Sequence, residues 1–306
     1  MSDLAAHLNQ IVGHSSIDYL PDAFPEPVPI RLYLKRDDLL HPLVSGNKWR
    51  KLKHNLLEAS RSGFTTLLTF GGAYSNHLYA TAAAGRVFGF QTIGIVRGDE
   101  LAHKPLNPTL AFCREQGMTL YFVDRATYLR AEDPAFLAEL QVRYGPCYTL
   151  PEGGTNALAI NGVAEIMPEL HEQLGKWPTV VAAAVGTGGT LAGLMQAAPS
   201  TVQVLGVSAL KVPEQSVASF AGLPGVLPPN VTICTDYHHG GYARTTPELL
   251  RFIRDFECRT GIQLEQVYTG KLLFALYELA RQGCFPDQAR VVAIHTGGIQ
   301  GRSDQI

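Results

Sequence analysis

Short apolar runs alternate with amphipathic stretches along most of the chain. The runs with the length and composition of buried strands are residues 30–35, 65–70, 92–96, 119–122, 180–185, 202–207 and 291–294. The stretches between them predict helices at residues 76–88, 108–116, 191–198, 247–259 and 271–282. Apolar strands that alternate with helices are typical of parallel sheets covered on both faces. We therefore predict an α/β protein with two open twisted, mostly parallel sheets and helices on both faces.

The predicted strands form two groups, one before and one after residue 160. A chain of 306 residues is too long for one small core and fits two α/β domains. We predict a small inserted α/β domain at residues 51–159 and a large domain formed by residues 1–50 and 160–306. Ligands of open α/β sheets bind at the carboxyl ends of the strands, so we expect the ligand in the cleft between the domains.

Composition and charge argue against several classes of function. The chain has 25 Lys+Arg against 27 Asp+Glu, a formal charge of −2, and no basic stripe for nucleic acid. No apolar run reaches the roughly 18–20 residues that span a bilayer. The first residues lack a basic region followed by an apolar core, which argues against a secretory signal. We expect a cytoplasmic protein with neither a nucleic-acid nor a membrane partner.

The cysteines and histidines give no metal-binding pattern. The five cysteines are scattered and form no C-x-x-C pair, which favours reduced thiols over zinc or disulfides. The ten histidines include no H-E-x-x-H, and the side chains of the adjacent His238 and His239 diverge on a helix or a strand. We therefore expect no metal site.

A lysine stands at the predicted start of one helix. Lys48 lies in the segment Ser-Gly-Asn-Lys-Trp-Arg-Lys-Leu, and the apolar residues after it recur at helical spacing. It could be an ordinary solvated residue. A cation near a helix N-terminus, with Arg50 and Lys51 nearby, is also easier to deprotonate, as an amine that forms an imine requires.

Three glycine-rich loops accompany this lysine. Gly-Gly-Ala-Tyr-Ser-Asn-His at residues 71–77 follows a predicted strand, and its Ser75 or Asn76 suits a helix N-cap. Residues 186–193, Gly-Thr-Gly-Gly-Thr-Leu-Ala-Gly, join a strand to a helix and could cradle a phosphate. Their glycine spacing matches G-x-G-x-x-G poorly, and no Walker lysine follows. His-Thr-Gly-Gly at residues 295–298 follows the last predicted strand.

The order of these segments resembles the fold type II, or tryptophan synthase β-subunit-like, enzymes that use pyridoxal 5′-phosphate (PLP). It is most similar to the group of 1-aminocyclopropane-1-carboxylate (ACC) deaminase and D-cysteine desulfhydrase. The resemblance covers nearly the whole chain, and its specific motifs are Lys-Arg-Asp-Asp at 35–38, Gly-Asn-Lys-x-Arg-Lys-Leu at 46–52 and Tyr-Thr-Gly-Lys at 268–271. It implies a PLP-binding large domain, a small amino acid as substrate and a homodimer.

The resemblance also assigns roles to residues. Lys48 is similar to the lysine that holds PLP as a Schiff base and moves the α-proton, and Ser75 to a serine that contacts the substrate carboxylate. Asn76 is similar to the residue that binds the phenolic oxygen of PLP. Tyr268 and Tyr242 match two active-site tyrosines. The phosphate is expected on the backbone of Gly186, Thr187, Gly188, Gly189 and Thr190.

Two positions bear on the reaction. ACC deaminases resemble one another in a glutamate after the tyrosine and a leucine before Gly-Gly, where this chain has Thr269 and Thr296. Both residues are expected near the pyridine nitrogen, and both resemble D-cysteine desulfhydrase. A hydroxyl there makes a weaker electron sink than a carboxylate, which suffices for a good leaving group such as hydrosulfide. We therefore expect α,β-elimination, with D-cysteine converted to pyruvate, sulfide and ammonia.

Other interpretations stay open. ACC deaminase, with 2-oxobutanoate and ammonia as products, is the first alternative. A nicotinamide-dependent oxidoreductase would need an acidic residue about 20 positions after the glycine loop, and residues 203–211 contain none. A non-catalytic PLP-binding protein would keep the phosphate loop without turnover. Tyr74 stands where we expect Gln or another small polar residue, which leaves the substrate pocket open.

Overall fold

The structure is a computed structural model that describes residues 2–11, 13, 15–44, 46–213 and 226–306. Ser45, the first residue of the lysine segment, lies outside the described residues.

Strands and helices alternate along most of the described chain. The strands are β1 (Ile17–Tyr19), β2 (Ile30–Lys35), β3 (Thr66–Gly71), β4 (Gln91–Arg97), β5 (Thr119–Val123), β6 (Tyr148–Thr149), β7 (Val180–Val185), β8 (Gln203–Ser208), β9 (Val231–Cys234) and β10 (Ala289–Ile294). The helices are α1 (Ser2–Ile11), α2 (Gly46–Arg61), α3 (Asn76–Phe88), α4 (Pro108–Glu115), α5 (Arg125–Tyr128), α6 (Pro134–Tyr144), α7 (Ala157–Ala164), α8 (Ile166–Leu174), α9 (Gly189–Ala197), α10 (Pro247–Thr260) and α11 (Thr269–Arg281).

The chain divides into two compact units. Unit 1 comprises Met1–Gly13 and His41–Gly162, and unit 2 comprises His14–Leu40 and Val163–Ile306. The sequence-based boundaries placed residues 41–50, with Lys48, in the large domain, whereas the contacts of these residues place them in unit 1. The inserted domain at 51–159 and the location of the ligand in a cleft stay predictions.

Unit 1 contains a four-stranded sheet in the order β5-β4-β3-β6, with all neighbouring strands parallel. Every residue of β3 is buried. Leu68 and Phe70 pack on one face with residues of α6, and Val96 on β4 packs with Leu78 of α3 and Leu110 of α4. Helices therefore cover both faces of this sheet, as expected for a parallel sheet.

Unit 2 contains a six-stranded sheet in the order β1-β2-β10-β7-β8-β9. Only β1, at one edge, pairs antiparallel with its neighbour. Alternate residues of β7 enter two separate cores: Val180 and Ala182 pack with α10 and α11, and Val181 and Ala183 pack with α8 and α9. Alternation along a strand that is apolar throughout means that both faces are buried. The predicted fold class is confirmed by these two sheets.

The structure corrects several predicted elements. Helix α9 begins at Gly189 and α11 at Thr269, each two residues earlier than expected, so that Thr190 and Thr269 lie in first turns. The sequence pattern did not reveal the short strands β1, β6 and β9 or helices α1, α5, α6 and α8. Short edge strands and short helices carry a weak local signal, and tertiary packing determines them. None of the described helices is long and apolar enough to span a membrane.

Candidate active site

Lys48 lies in the first turn of α2, the helix that the apolar spacing predicted. The helix begins at Gly46, whose φ of +65° is in the left-handed region that favours glycine. The Nζ of Lys48 lies 3.4 Å from the carbonyl oxygen of Gly153, toward which it donates. Burial lowers the pKa of the Lys48 amine to about 8, although the residue as a whole is only partly buried. About a fifth of this amine is therefore neutral near physiological pH, far more than of an ordinary lysine.

Lys51 lies one helical turn after Lys48, and its amine reaches the same carbonyl. Its Nζ donates to the carbonyl oxygen of Gly153 at 3.1 Å and to Oγ1 of Thr155 at 3.0 Å. Burial, and then the charge of Lys48, lower the pKa of Lys51 well below its ordinary value. The sequence marks Lys51 only as a neighbour of Lys48. The i, i+3 spacing of the two lysines was the available signal.

The turn between β3 and α3 places Ser75 and Asn76. Ser75 is the N-cap of α3, and its Oγ accepts a hydrogen bond from the backbone N–H of Leu78 at 3.2 Å. A Cβ on Gly71 would lie 2.6 Å from that Oγ, so glycine is required for the turn to close on the cap. Asn76 is the first residue of the helix. The capping role that the sequence suggested for Ser75 is observed, and its hydroxyl hydrogen can still be donated to a ligand.

His77, one residue further, is a buried imidazole in a defined tautomer. Thr69 donates its hydroxyl to the carbonyl oxygen of Leu150 at 3.1 Å, so its Oγ1 accepts from Nε2 of His77 at 2.9 Å. Nδ1 is then the unprotonated nitrogen, buried and without a hydrogen-bond partner among the described residues. Burial, followed by the charges of Lys48 and Lys51, holds the pKa of His77 well below its ordinary value. No sequence motif singles out this neutral ring as a site residue.

In unit 2, a glycine loop joins β7 to α9. The strand ends at Val185, and Gly188, with a φ of +75°, is the N-cap of the helix without a side-chain capping bond. Thr190 is buried in the first turn. A cap made by glycine leaves the backbone N–H groups of the first turn directed at whatever lies before the helix. Phosphate is the ligand class that such a terminus favours.

Tyr268 lies against this loop. A Cβ on Gly186 would lie 3.0 Å from the ring of Tyr268, so any other residue would push the ring away by a few tenths of an ångström. The ring of Tyr242 lies edge-on to Tyr268, with 6.2 Å between the ring centroids. The fold therefore brings three sequence-predicted site residues together: the first glycine of the loop and both tyrosines.

Thr269 lies in the first turn of α11, fully buried against Glu265. Its Oγ1 lies 3.0 Å from Oε1 of Glu265, and the backbone N–H groups of Val267, Tyr268 and Thr269 donate to the same carboxylate. Burial raises the pKa of Glu265, and these hydrogen bonds oppose that rise. The family resemblance places Thr269 at the cofactor ring, whereas no sequence signal pointed to Glu265.

Thr296 follows β10 in a loop held by its neighbour His295. The backbone N–H of His295 donates to the carbonyl oxygen of Lys35, and Nε2 donates to the carbonyl oxygen of Gln263 at 2.8 Å. The backbone N–H of Gly297 donates to Nδ1 at 3.3 Å. Burial lowers the pKa of His295, and the Asp38 carboxylate 3.6 Å from Nδ1 opposes that shift. Thr296 is therefore carried by a rigid, mostly buried strand end.

Comparison with known proteins adds the decisive observation. A model of the family described as "Pyridoxal-phosphate dependent enzyme" matches residues 19–297, most of the chain. The chain belongs to this family. It is 32% identical to a putative ACC deaminase of Thermotoga maritima over 90% of this chain and 91% of that protein. It is 30% identical to a D-cysteine desulfhydrase of Yersinia pestis over 87% of this chain and 86% of that protein. It is 28% identical to a mitochondrial bifunctional D-cysteine desulfhydrase/ACC deaminase of Arabidopsis thaliana, over 99% of this chain and 82% of that protein.

A solved structure described as an ACC deaminase homologue is similar over its full length. It superimposes with a TM-score of 0.79 at 28% identity, covering 98% of this chain and 96% of that chain. The predicted resemblance and the fold type II architecture are thereby confirmed.

Pyridoxal phosphate is the cofactor of this family, and the chain's own residues fit it. Lys48 supplies a buried amine whose pKa of about 8 suits imine formation. The glycine-capped start of α9 suits the phosphate, because it offers backbone N–H groups without a competing side chain. Among the described residues, no group of three or more His, Cys, Asp or Glu side chains is arranged to hold a metal ion. The chain is thus a PLP-dependent enzyme, and Lys48 and the start of α9 each have chemistry that this cofactor requires.

Proposed function

We propose that the protein catalyses the PLP-dependent α,β-elimination of D-cysteine to pyruvate, sulfide and ammonia. The observation that carries the proposal is the pair Thr269 and Thr296, which stand where the family resemblance implies glutamate and leucine in ACC deaminases. The hydroxyl of Thr269 donates to Glu265, so the proposed hydroxyl at the pyridine nitrogen is that of Thr296. Bound PLP supplies an electron sink for the carbanion at Cα. A cofactor whose pyridine nitrogen is hydrogen-bonded to a hydroxyl is a weaker electron sink than one paired with a carboxylate. Such a cofactor suits a substrate whose Cβ–S bond breaks readily.

Lys48 is the proposed acid–base residue. Its amine, with a pKa of about 8, can accept the Cα proton near neutral pH, because a base works best when its pKa lies near the operating pH. The Cα–H and Cβ–S bonds break, hydrosulfide leaves, and water then releases the three-carbon fragment as pyruvate and the nitrogen as ammonia. The carbonyl oxygen of Gly153 gives the amine a fixed hydrogen-bond acceptor.

The other proposed site residues would bind and orient the cofactor and the substrate. We propose that the hydroxyl of Ser75 donates to the substrate carboxylate and that Asn76 binds the phenolic oxygen of the cofactor. The backbone of Gly186, Thr187, Gly188, Gly189 and Thr190 would hold the phosphate. Tyr268, whose ring lies against Gly186, would contact the cofactor ring, with Tyr242 beside it on the substrate side.

ACC deaminase is the second candidate. Its support is the Thermotoga relative named a putative ACC deaminase, the bifunctional Arabidopsis relative and the solved structure of an ACC deaminase homologue. A homodimer and a cytoplasmic location stay predictions.

The test is a panel of substrates with the purified holoenzyme. D-cysteine, β-chloro-D-alanine, their L-enantiomers and ACC are assayed for keto acid, ammonia and sulfide. We expect pyruvate from the two D-amino acids and little 2-oxobutanoate from ACC. Release of 2-oxobutanoate from ACC with no pyruvate from D-cysteine would replace the proposal by the second candidate. Turnover of none of them would leave a PLP-binding protein of another function.

The covalent assignment is checked on the same preparation. Borohydride reduction followed by peptide mapping should place the label on Lys48, and Lys48→Ala should carry none. Lys51→Ala is the matched control, because it removes the neighbouring amine one turn away and should keep the label on Lys48.

A further inference from the structure

Lys271 is a buried cation that the proposed mechanism does not use. It is the last residue of the Tyr-Thr-Gly-Lys motif, lies in the first turn of α11 and is 0% exposed. A cation in that turn opposes the helix dipole, and burial lowers the pKa of its amine to about 8. The negative charge of Glu265, a buried carboxylate near it, raises that pKa and so partly opposes the effect of burial. An apolar side chain of similar length would fill the space without these costs, so we expect the amine to make contacts that an apolar side chain cannot make.

The contacts of the amine show what it holds. Nζ donates to the carbonyl oxygen of Gly241 at 2.7 Å and lies 3.4 Å from that of Ala209. Gly241 immediately precedes Tyr242. The backbone N–H of Ala209 donates to the carbonyl oxygen of Val185, the residue before the glycine loop. One ammonium group thus ties together the start of α11, the segment before Tyr242 and the strand end beside the phosphate loop.

The segment around Tyr242, residues 239–243, has an unusual backbone conformation. Left-handed backbone occurs at His239, with a φ of 50°, at Gly240 and Gly241, with φ of 98° and 114°, and at Ala243, with a φ of 53°. That conformation is unfavourable for residues with a Cβ, and it persists only where surrounding contacts enforce it. His239 also buries an Nε2 without a hydrogen-bond partner among the described residues. Within the segment, the N–H of Gly241 donates to the carbonyl oxygen of His238 and the N–H of Arg244 donates to that of Gly241. The Lys271 amine adds the contact that anchors this turn to α11.

We propose that Lys271 is a positioning residue that fixes Tyr242 beside Tyr268 by holding the carbonyl group of Gly241. The tyrosine rings lie 6.2 Å apart, and Tyr268 is three residues before Lys271 at the start of the same helix. The lysine acts through Tyr242 and does not touch the substrate. The catalytic consequence rests on the proposed function, which places Tyr242 on the substrate side.

The first test measures the segment itself and requires no substrate. Hydrogen–deuterium exchange of the peptide covering residues 238–246 is compared in holoenzyme carrying Lys271→Met and Lys271→Gln. Both side chains end one atom short of the lysine amine. Met loses the donors, whereas Gln keeps an N–H donor at this shorter reach. We expect clearly faster exchange in the Met variant, a smaller increase in the Gln variant and unchanged exchange in α10. Wild-type exchange of this peptide in both variants would overturn the proposal.

The second test is a double-mutant cycle with Tyr242→Phe, on D-cysteine or on whichever amino acid of the panel is turned over. Misplacing a binding group by about 1 Å can cost up to about a hundredfold in rate. We expect Lys271→Met to lower kcat/KM about tenfold or more, mainly through KM, and by less than about twofold when Tyr242 is already Phe. Losses that multiply would show that Lys271 acts independently of Tyr242 and would overturn the proposal.

The two tests separate the inference from the proposed function. Failure of D-cysteine turnover leaves the exchange result intact and shifts the cycle to another amino acid. If Lys271→Met does not fold, Lys271→Gln carries both measurements, with the same non-additivity expected at a smaller amplitude. Adding Ala243→Gly, which relieves the left-handed strain at that residue, should then partly restore kcat/KM to the Gln variant. The proposal would be overturned if the losses from Lys271→Gln and Tyr242→Phe multiplied and Ala243→Gly restored no kcat/KM to the Gln variant.

Discussion

At the scale of single residues, the Lys48 amine differs from an ordinary lysine in its protonation. Burial lowers its pKa to about 8, so the neutral, nucleophilic form dominates above pH 8 and not only above pH 10.5. We therefore expect the rate of covalent PLP uptake by cofactor-free protein to rise about tenfold per pH unit below pH 8 and to level off above it. Absorbance kinetics across the pH range, with Lys48→Ala as the control without uptake, check this. A rate that continues to rise to pH 10 would contradict it.

At the scale of elements, the start of α11 depends on a carboxylate that no capping rule selects. Glu265 accepts hydrogen bonds from the backbone N–H groups of residues 267–269 and contacts the hydroxyl of Thr269. Glu265→Ala leaves these donors buried, and we expect a loss of about 3 kcal/mol in the free energy of unfolding. Glu265→Gln keeps one acceptor oxygen, so we expect a loss nearer to about 1 kcal/mol. Urea unfolding of both variants measures the difference in the free energy of unfolding. Equal losses would show that the oxygen retained by the Gln variant does not stabilise the start of α11.

A second element-scale prediction concerns the contact between α7 and α2 in unit 1. A Cβ on Gly162 would lie 2.0 Å from the backbone carbonyl oxygen of Arg50, which is part of a helix and cannot move aside. We expect Gly162→Ala to cost about 3 kcal/mol and to lower the Tm by roughly 5–10 °C. Gly63→Ala is the control, because it meets no atom within 4 Å and adds only the strain of a φ of +76°. Similar Tm values for the two variants would exclude the steric explanation.

The sequence predicted the parallel sheets and gave candidate site residues, because both depend on local patterns. Lys48 and the loop at residues 186–190 stand where a strand or helix boundary meets glycine, and such boundaries can be read locally. The role of Glu265 could not be read, since glutamate is not a preferred N-cap and its acceptor geometry arises only when the chain folds back. The buried contact of Lys271 depends on Gly241, 30 positions away along the chain. Tertiary packing alone creates such contacts.

At the scale of the whole molecule, we expect the choice of reaction to be coupled to the buried hydrogen bonds around Glu265. The pair typical of ACC deaminases would be introduced in this chain as Thr269→Glu with Thr296→Leu. Oγ1 of Thr269 lies 3.0 Å from Oε1 of Glu265, so the new glutamate would bring a second carboxylate into a fully buried position. Two carboxylates in contact cannot both ionise without a large cost, and an uncompensated buried charge costs about 3–5 kcal/mol.

We therefore expect the Thr269→Glu/Thr296→Leu double variant to lose stability as the pH rises above the pKa of the shared proton. The sign follows from the raised pKa of the carboxylate pair, because the folded state binds more protons than the unfolded state in that range. Adding Glu265→Gln removes one charge, and we expect it to restore most of that stability and to permit turnover of ACC at the expense of D-cysteine. Thermal unfolding at pH 6 and pH 8, together with keto-acid assays, tests both parts. A double variant as stable as wild type at pH 8 would mean that residue 269 turns away from Glu265, and substrate choice would then depend on the two threonine positions alone.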